Sequence, residues 1–433
     1  MNINSSLLQN LTLAILLSAL ISCGGGSSSS GGGNDAGGNP PGPTTPSPII
    51  PSPEIFTGKL YPPIDGFYYV SGSEEGITDN GGTFSYEGNQ PVAFSIGGIN
   101  FGSSAGKSIL TLVDLTGTDA SDIRVQNSYR LLLALDNDGD STNGILLSEE
   151  LRAIADNFSQ PDFSLEDFDN EVSLILSDAA TADNRTPELP SFRDTSEILE
   201  LSLSCLASGI FSGTFDGDDN GTFLLWVQHQ RFDTSIFPVN GIGTGVTSAL
   251  VYSNIEDIIL TVLPREGLTL NTDRLLISGS LDSGAEFSGS FNENFMSLNG
   301  RWVNSVTAES GGFEGVRKAG ALTAKYRLSG LVNPNNLPFS TDNTSLVGLD
   351  IMTDNSVEGV LVTLQGNETI LSGRLESDTI TATGGRFEFN LNFDADGSDT
   401  ENDNFLGPVS GYVGTYTDGI SGGIISGTSC KIN

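Results

Sequence analysis

Apolar residues along this chain follow three patterns, and the changes between them divide it. Over residues 66–115 they form short runs, several of them alternating with polar residues: Phe67-Tyr68-Tyr69-Val70, Thr83-Phe84-Ser85-Tyr86, Val92-Ala93-Phe94-Ser95-Ile96 and Ile109-Leu110-Thr111-Leu112. Successive side chains of a strand point to opposite faces, so these runs predict short strands. From Asp122 the period lengthens. Val125, Tyr129, Leu132, Leu133 and Leu135 fall close to one helical face. A second helix is predicted after Ser148, a capping residue type, carrying Leu151, Ile154, Ala155 and Phe158. Ser164-Leu165-Glu166-Asp167 is a capping-box pattern, with Phe163 and Phe168 placed for a hydrophobic staple, and predicts a third helix. A fourth start stands at Asp194-Thr195-Ser196-Glu197. There Leu199, Leu201 and Leu203 alternate as a strand would, while Ile198, Leu201, Cys205 and Leu206 favour a helix.

After Gly209 a short phrase built on Ser-Gly recurs: Phe211-Ser212-Gly213-Thr214-Phe215, Ile277-Ser278-Gly279-Ser280-Leu281, Phe287-Ser288-Gly289-Ser290-Phe291, Leu328-Ser329-Gly330-Leu331, Leu371-Ser372-Gly373-Arg374-Leu375 and Val409-Ser410-Gly411-Tyr412-Val413. Each reads as a strand with one buried face, and a mid-strand glycine permits the bend that a small barrel needs. The pattern restarts around Gly320-Ala321. The expected fold is mainly β with an α-helical insert. It has a small β-sandwich-like module at residues 55–118, a helical module at 119–207, and two antiparallel β-barrel or sandwich units at 208–320 and 321–433.

The chain opens differently. Residues 11–21 are an apolar run too short to span a bilayer comfortably and sized for a signal-peptide core, so residues 1–22 read as a signal peptide. The run ends in Leu20-Ile21-Ser22-Cys23, which resembles the lipobox of bacterial lipoproteins. That resemblance implies that Cys23 is acylated and becomes the mature N-terminus. The glycines that follow, where an inner-membrane lipoprotein carries Asp, imply an outer-membrane address, periplasmic or surface. Residues 1–10 hold none of the Lys or Arg usual in such signals. An ordinary cleaved signal peptide with an incidental Cys is the other reading. Residues 23–54 are Gly/Ser-rich and then Pro-rich, the composition of a flexible tether followed by a stiffer spacer.

One segment calls for a specific chemistry. In Asp136-Asn137-Asp138-Gly139-Asp140-Ser141-Thr142-Asn143-Gly144-Ile145, oxygen-bearing side chains alternate between two predicted helices, and Glu149-Glu150 follow. A hard cation such as calcium takes six to eight oxygens at about 2.3–2.6 Å. The loop resembles that of EF-hand and dockerin modules, lengthened by about two residues at Ser141-Thr142. The resemblance implies a structural calcium held by Asp136, Asp138, Asp140, Asn143 and Glu150, with Glu149 as the substitute for Glu150. The same residue types also mark solvated turns. Two further acidic loops differ from it. Asp216-Gly217-Asp218-Asp219-Asn220-Gly221 reads as a hairpin, and Asp394-Ala395-Asp396-Gly397-Ser398-Asp399, with Glu401 and Asp403, as a second, weaker cation site.

A net charge of −36 without any basic stripe excludes a nucleic-acid partner and fits an acidic surface in a cation-rich medium. With Cys23 assigned to the anchor, Cys205 and Cys430 remain. In an oxidising compartment they form a disulfide, and otherwise they are two buried thiols. His229 is the only histidine and sits in an alternating strand, where a partly exposed sheet residue is expected rather than a triad or zinc ligand. No G-x-S-x-G elbow or P-loop is present.

Thr78-Asp79-Asn80-Gly81-Gly82-Thr83-Phe84 resembles the T-D-x-x-G-x-F turn of carboxypeptidase-regulatory-like β modules, a hairpin signature without catalysis. The whole arrangement of lipobox, tether and glycine-punctuated β units resembles surface lipoproteins of the transferrin-binding and factor-H-binding kind. It is also similar to uncharacterised proteobacterial lipoproteins with a D-x-D-G-D-x-x-N-G-I module. These resemblances imply a non-enzymatic, membrane-anchored protein that binds or adheres to an envelope or extracellular protein or glycan. The alternative is a polysaccharide-acting hydrolase with an Asp/Glu pair hidden among many carboxylates.

Overall fold

A computed structural model of the chain describes residues 53–140, 143–231, 244–262, 269–271, 276–280, 284–320, 323–332, 344–394 and 411–432. The expected signal peptide, Cys23 and all but the end of the expected tether lie outside these residues.

Short strands build the first part, as the alternation predicts. Ile55–Tyr61 pairs with Thr83–Glu87 and Ile109–Thr111, while Glu74–Ile77, Tyr68–Ser71, Pro91–Ile96 and Ile99–Ala105 make a second sheet. Val92, Phe94 and Ile96 turn inward from their strand. The rings of Phe67, Tyr69, Phe84, Phe94 and Phe101 meet there with centroids 5.1–6.5 Å apart. The turn before Thr83 hangs on Asp65, whose carboxylate accepts from the N–H groups of Gly82 at 2.7 Å and Gly81 at 3.3 Å. Gly82 has φ of +79°, and a Cβ there would stand 3.0 Å from the Ile64 nitrogen, so glycine is required.

The helices are α1 (Leu112–Thr116), α2 (Ile123–Leu135), α3 (Glu149–Ile154), α4 (Phe168–Glu171), α5 (Ser173–Ala182) and α6 (Phe192–Ala207). The fourth predicted segment is therefore helical. Its cap is Ser191, three residues before the expected start, with the Asp194 N–H on its hydroxyl at 3.2 Å. The capping box at Ser164 does not form. Ser164 instead gives its N–H and hydroxyl to the Asp162 carboxylate at 2.9 and 2.6 Å, a local turn that competes with helix, and α4 begins only at Phe168. Phe163 and Phe168 still meet, 5.6 Å apart.

α2 is buried on nearly every side rather than on one face. Its polar residues are matched individually. Gln126 donates to the Ala120 carbonyl at 2.6 Å and Asn127 to the Phe163 and Leu165 carbonyls at 2.9 Å. Arg130 reaches the Pro190 carbonyl and Asp169, both at 2.7 Å. One hydrophobic core runs from Leu60 through α2 to Leu203 and Leu206 of α6, so the N-terminal strands and the helices share an interior.

The last two parts are antiparallel β. Strands between Gly209–Gly217 and Glu309–Arg317 form a nine-stranded sheet curled into a half-barrel, in which Gly221–Arg231 pairs with both Gly209–Gly217 and Thr244–Ser253. Eight strands from Tyr326–Val332 to Gly422–Lys431 close a barrel, the first pairing with the last in the register Tyr326 to Lys431. Leu328, Val347, Leu361, Leu371, Leu391 and Tyr412 pack its interior. The recurrent glycines make room for rings. A Cβ on Gly213 or Gly315 would stand 2.7 or 2.8 Å from the Phe223 ring, and one on Gly289 or Gly300 2.7 or 2.4 Å from that of Phe313. On the outside, Ile210, Leu224 and Leu250 of the half-barrel pack against Leu346, Val360 and Val362 of the barrel.

Candidate calcium loop

α2 ends at Leu135, and its C-cap, Asp136, turns out of the helix with φ −62° and ψ 122°. The change of direction buries the Asp136 side chain, which is 1% exposed. Its Oδ1 accepts the Leu146 N–H at 2.9 Å, while Oδ2 is buried without a hydrogen-bond partner. Burial, with the Asp138 carboxylate beside it and close enough to accept its proton, pushes the Asp136 carboxyl up to about 6; the Leu146 N–H and the Arg185 guanidinium act in the opposite direction. Asp138 is exposed and accepts the Asp140 N–H and the Asn143 side-chain amide, both at 2.9 Å, which hold its carboxyl below the usual range. Gly139 and Gly144 take φ of +71° and +99°, turning the chain twice within the loop.

The loop is sewn to its neighbours by backbone. Ile145–Leu146 pairs in parallel with Ile64–Asp65, the Ile145 N–H reaching the Pro63 carbonyl and the Leu147 N–H the Asp65 carbonyl, both at 2.9 Å. Ser148 then caps α3, taking the Leu151 N–H at 2.9 Å, and its hydroxyl bonds Asp183. Arg185 donates to the Ala134 carbonyl in the last turn of α2 at 2.7 Å. The 183–185 segment thus braces both sides of the loop. Nothing in the sequence pattern pointed to it, because it lies far along the chain.

Of the sequence-derived ligands, the structure brings Asp136, Asp138 and Asn143 together, with Asp140 joined through its N–H. Ser141 and Thr142 lie outside the described residues. Glu149 and Glu150 are exposed in the first turn of α3. Two adjacent carboxylates, one of them buried with an orphaned oxygen, are a donor set for a hard cation, and the orphaned oxygen is the feature that plain solvated turns lack. The other acidic loops separate. Residues 216–221 are a hairpin whose Asp218 and Asp219 accept from Ser310 and Ser253 of adjoining strands. Of the loop at 394–399, only Asp394 lies within the described residues.

A second group was not foreseen as a unit. Cys205 and Cys430 form a disulfide with Cα atoms 5.7 Å apart. His229 stands beside it, its Nδ1 buried without a hydrogen-bond partner, and burial holds the imidazole down at about 4. Arg317 spans the same corner, donating to the carbonyls of Phe295, Ser208 and Leu206 at 2.6–2.7 Å, and Arg327 reaches those of Cys205 and Ser208 at 3.3 Å. At Leu206 and Ser208 the guanidinium groups take up carbonyls that the end of α6 leaves open.

No family model matches this chain, and no curated protein does. Solved structures show distant likenesses over about half of it. A protein assigned as AttH from Nitrosomonas europaea is 7% identical with a TM-score of 0.20, covering 51% of this chain and 91% of its own. A transferrin-binding protein B variant from Haemophilus parasuis is 8% identical with a TM-score of 0.15, covering 51% and 60%. A protein of unknown function of the DUF3598 family from Nostoc punctiforme is 7% identical with a TM-score of 0.16, covering 53% and 98%.

Proposed function

We propose that this chain is an acyl-anchored protein of the outer membrane that binds rather than catalyses, and that one structural calcium ion sets its helical part. Anchoring rests on the Leu20-Ile21-Ser22-Cys23 box and the tether after it. The role is capture of, or adhesion to, an envelope or extracellular protein or glycan, presented by the two C-terminal β units. Apolar side chains pack the barrel core and line the half-barrel, where an apolar cavity lies among Phe215, Phe223, Leu225 and Ile277, so that cavity, the loops and the outer faces are the surfaces available for contact.

The observation that carries the calcium reading is the buried, unpartnered Oδ2 of Asp136 beside Asp138. A cation there supplies the missing partner and cancels the repulsion. Asp136, Asp138, Asp140, Asn143 and Glu150 are the side chains assigned to it, with carbonyl or water oxygens completing the shell. Because the loop is bonded to Pro63 and Asp65, the ion also fixes α2 and α3 against the tether-proximal strands.

Calorimetric titration of the full chain carrying Cys23→Ser tests the site. One equivalent of calcium should bind with measurable heat and raise the melting temperature. No heat and no chelator-dependent change in melting would overturn it. Anchoring is read separately. The native chain should fractionate with membranes and the Cys23→Ser variant with the soluble fraction, and identical fractionation would overturn the lipoprotein assignment.

A further inference from the structure

The C-terminal end of α6 is a junction of the helical part, the half-barrel and the barrel. Cys205 comes from α6, Cys430 from the last barrel strand and His229 from the long half-barrel strand Gly221–Arg231. The two sulfurs and one imidazole nitrogen lie within 4.8 Å of one another. The cysteines are 2% and 1% exposed. The backbone N–H of His229 donates to the Thr428 hydroxyl at 3.3 Å, two residues before Cys430, which ties the His229 backbone to the strand that carries Cys430.

A neutral imidazole carries one acceptor nitrogen, and a buried polar nitrogen without a partner is costly. While the sulfurs are joined they offer no thiolate. Once reduced, the same three atoms are the donor set of a soft, four-coordinate cation, whose bonds of about 2.0–2.3 Å bring its ligand atoms to roughly 3–4 Å from one another. Ser208 Oγ, 3.3 Å from the Cys430 sulfur, or water can take the fourth position. Arg317 and Arg327, both bonded to carbonyls of residues 205–208, place two guanidinium groups there against the single carboxylate of Asp350, 3.8 Å from Arg327, and the remaining positive charge favours thiolates.

We propose that Cys205, Cys430 and His229 form a redox-gated metal site, sealed as a disulfide when oxidised and holding one zinc-class ion through two thiolates and one imidazole when reduced. Reduction by a dithiol delivers two electrons and two protons to the cystine, breaks the S–S bond and leaves the reductant as its own disulfide. The ion then displaces the two thiol protons to solvent. Since the ligands come from three parts of the chain, the junction stays closed in both states, covalently in one and by coordination in the other.

The test uses the full chain with Cys23→Ser, so that the junction holds its only thiols. It is reduced with a phosphine, which yields the same two thiols while water supplies the oxygen of the phosphine oxide, and is titrated with cobalt(II). One equivalent should develop the strong near-ultraviolet thiolate–cobalt band and the visible bands of four-coordinate cobalt, and excess zinc should remove them. The oxidised chain should show no thiolate band, since surface carboxylates or the Asp136 loop bind cobalt without one. His229→Gln should weaken uptake by at least about tenfold and change the visible bands. A reduced, still folded chain without the thiolate band would overturn the proposal, as would equal bands in the oxidised chain or wild-type affinity and spectrum in His229→Gln. If reduction alone loosens the fold, zinc should raise the denaturant midpoint of the reduced chain, and an unchanged midpoint overturns the proposal.

Discussion

Asp136 and His229 carry opposite burdens. Asp136 is a buried carboxyl beside another carboxylate. Replacing it with Asn keeps its shape, removes the repulsion and gives Asp138 an N–H donor. In chelator, Asp136→Asn should therefore be more stable than the native chain by about 1 kcal/mol. In calcium the order should reverse, because only the native chain gains from the ion. Denaturation with and without chelator reads both, and a variant that responds to calcium like the native chain would remove Asp136 from the site. His229 is half-buried, with its Nδ1 shut off from water, and is held as a neutral group. A free histidine titrates near 6.5, whereas this one is held down at about 4. Above pH 6.5 neither state takes the proton and the contribution to stability is complete. As the pH falls from 6.5 towards 4, the unfolded chain gains a proton that the folded chain refuses, and stability falls. The loss is at most about 3 kcal/mol, reduced by the partial exposure of the residue. In the oxidised, metal-free chain, His229→Gln should flatten this part of the pH profile between pH 7.5 and 4.5, and a profile with native steepness would contradict it.

At the scale of elements, the loop after α2 is tied to the N-terminal strands by a backbone pairing only two residues long, beside which Ile145 and Leu147 are buried in the shared core. Short pairings of this kind open locally. Removing calcium should therefore speed amide exchange at Ile145 and Leu147 at least about tenfold, while the barrel amide of Leu391 changes little. Uniform rates in both conditions would separate the loop from the ion. Much of this scale was legible in advance. Helix periodicity located α2, α3 and α6, although α2 is buried on nearly every side and α3 ends at Ile154, short of Phe158. The Ser164 box was misread because its competitor is local: Asp162 takes the same hydroxyl and N–H before a helix can start.

Over the whole molecule, the disulfide closes a sequence separation of 225 residues. In the chain-entropy account that constraint contributes roughly 5 kcal/mol, an upper figure. Cys205→Ala combined with Cys430→Ala, compared in the oxidised, metal-free state, should lower the unfolding free energy by about 2–5 kcal/mol and leave the β circular dichroism in place. A loss below about 1 kcal/mol would mean that the Arg317 and Arg327 contacts alone hold the junction.

Whatever depends on neighbours in sequence was determined by the sequence itself. Alternation produced the strands, 3.6-residue spacing produced the helices, and the Asp-Asn-Gly run produced the turns of the loop, since each is settled within a few residues. For Cys205 and Cys430 the sequence left a disulfide and two buried thiols both open, and the tertiary structure joins them. Only the tertiary structure decided which strands close a barrel and which curl into half of one, because that depends on pairings such as Tyr326 with Lys431. Burial was decided there too. Composition marks Asp136, His229, Arg317 and Arg327 as polar surface residues. Packing from distant segments takes Asp136, Arg317 and Arg327 out of water, half-buries His229, and leaves an oxygen of one carboxylate and a nitrogen of one imidazole without partners. Desolvation is a property of the surroundings, and the surroundings of these groups come from parts of the chain tens to hundreds of residues away.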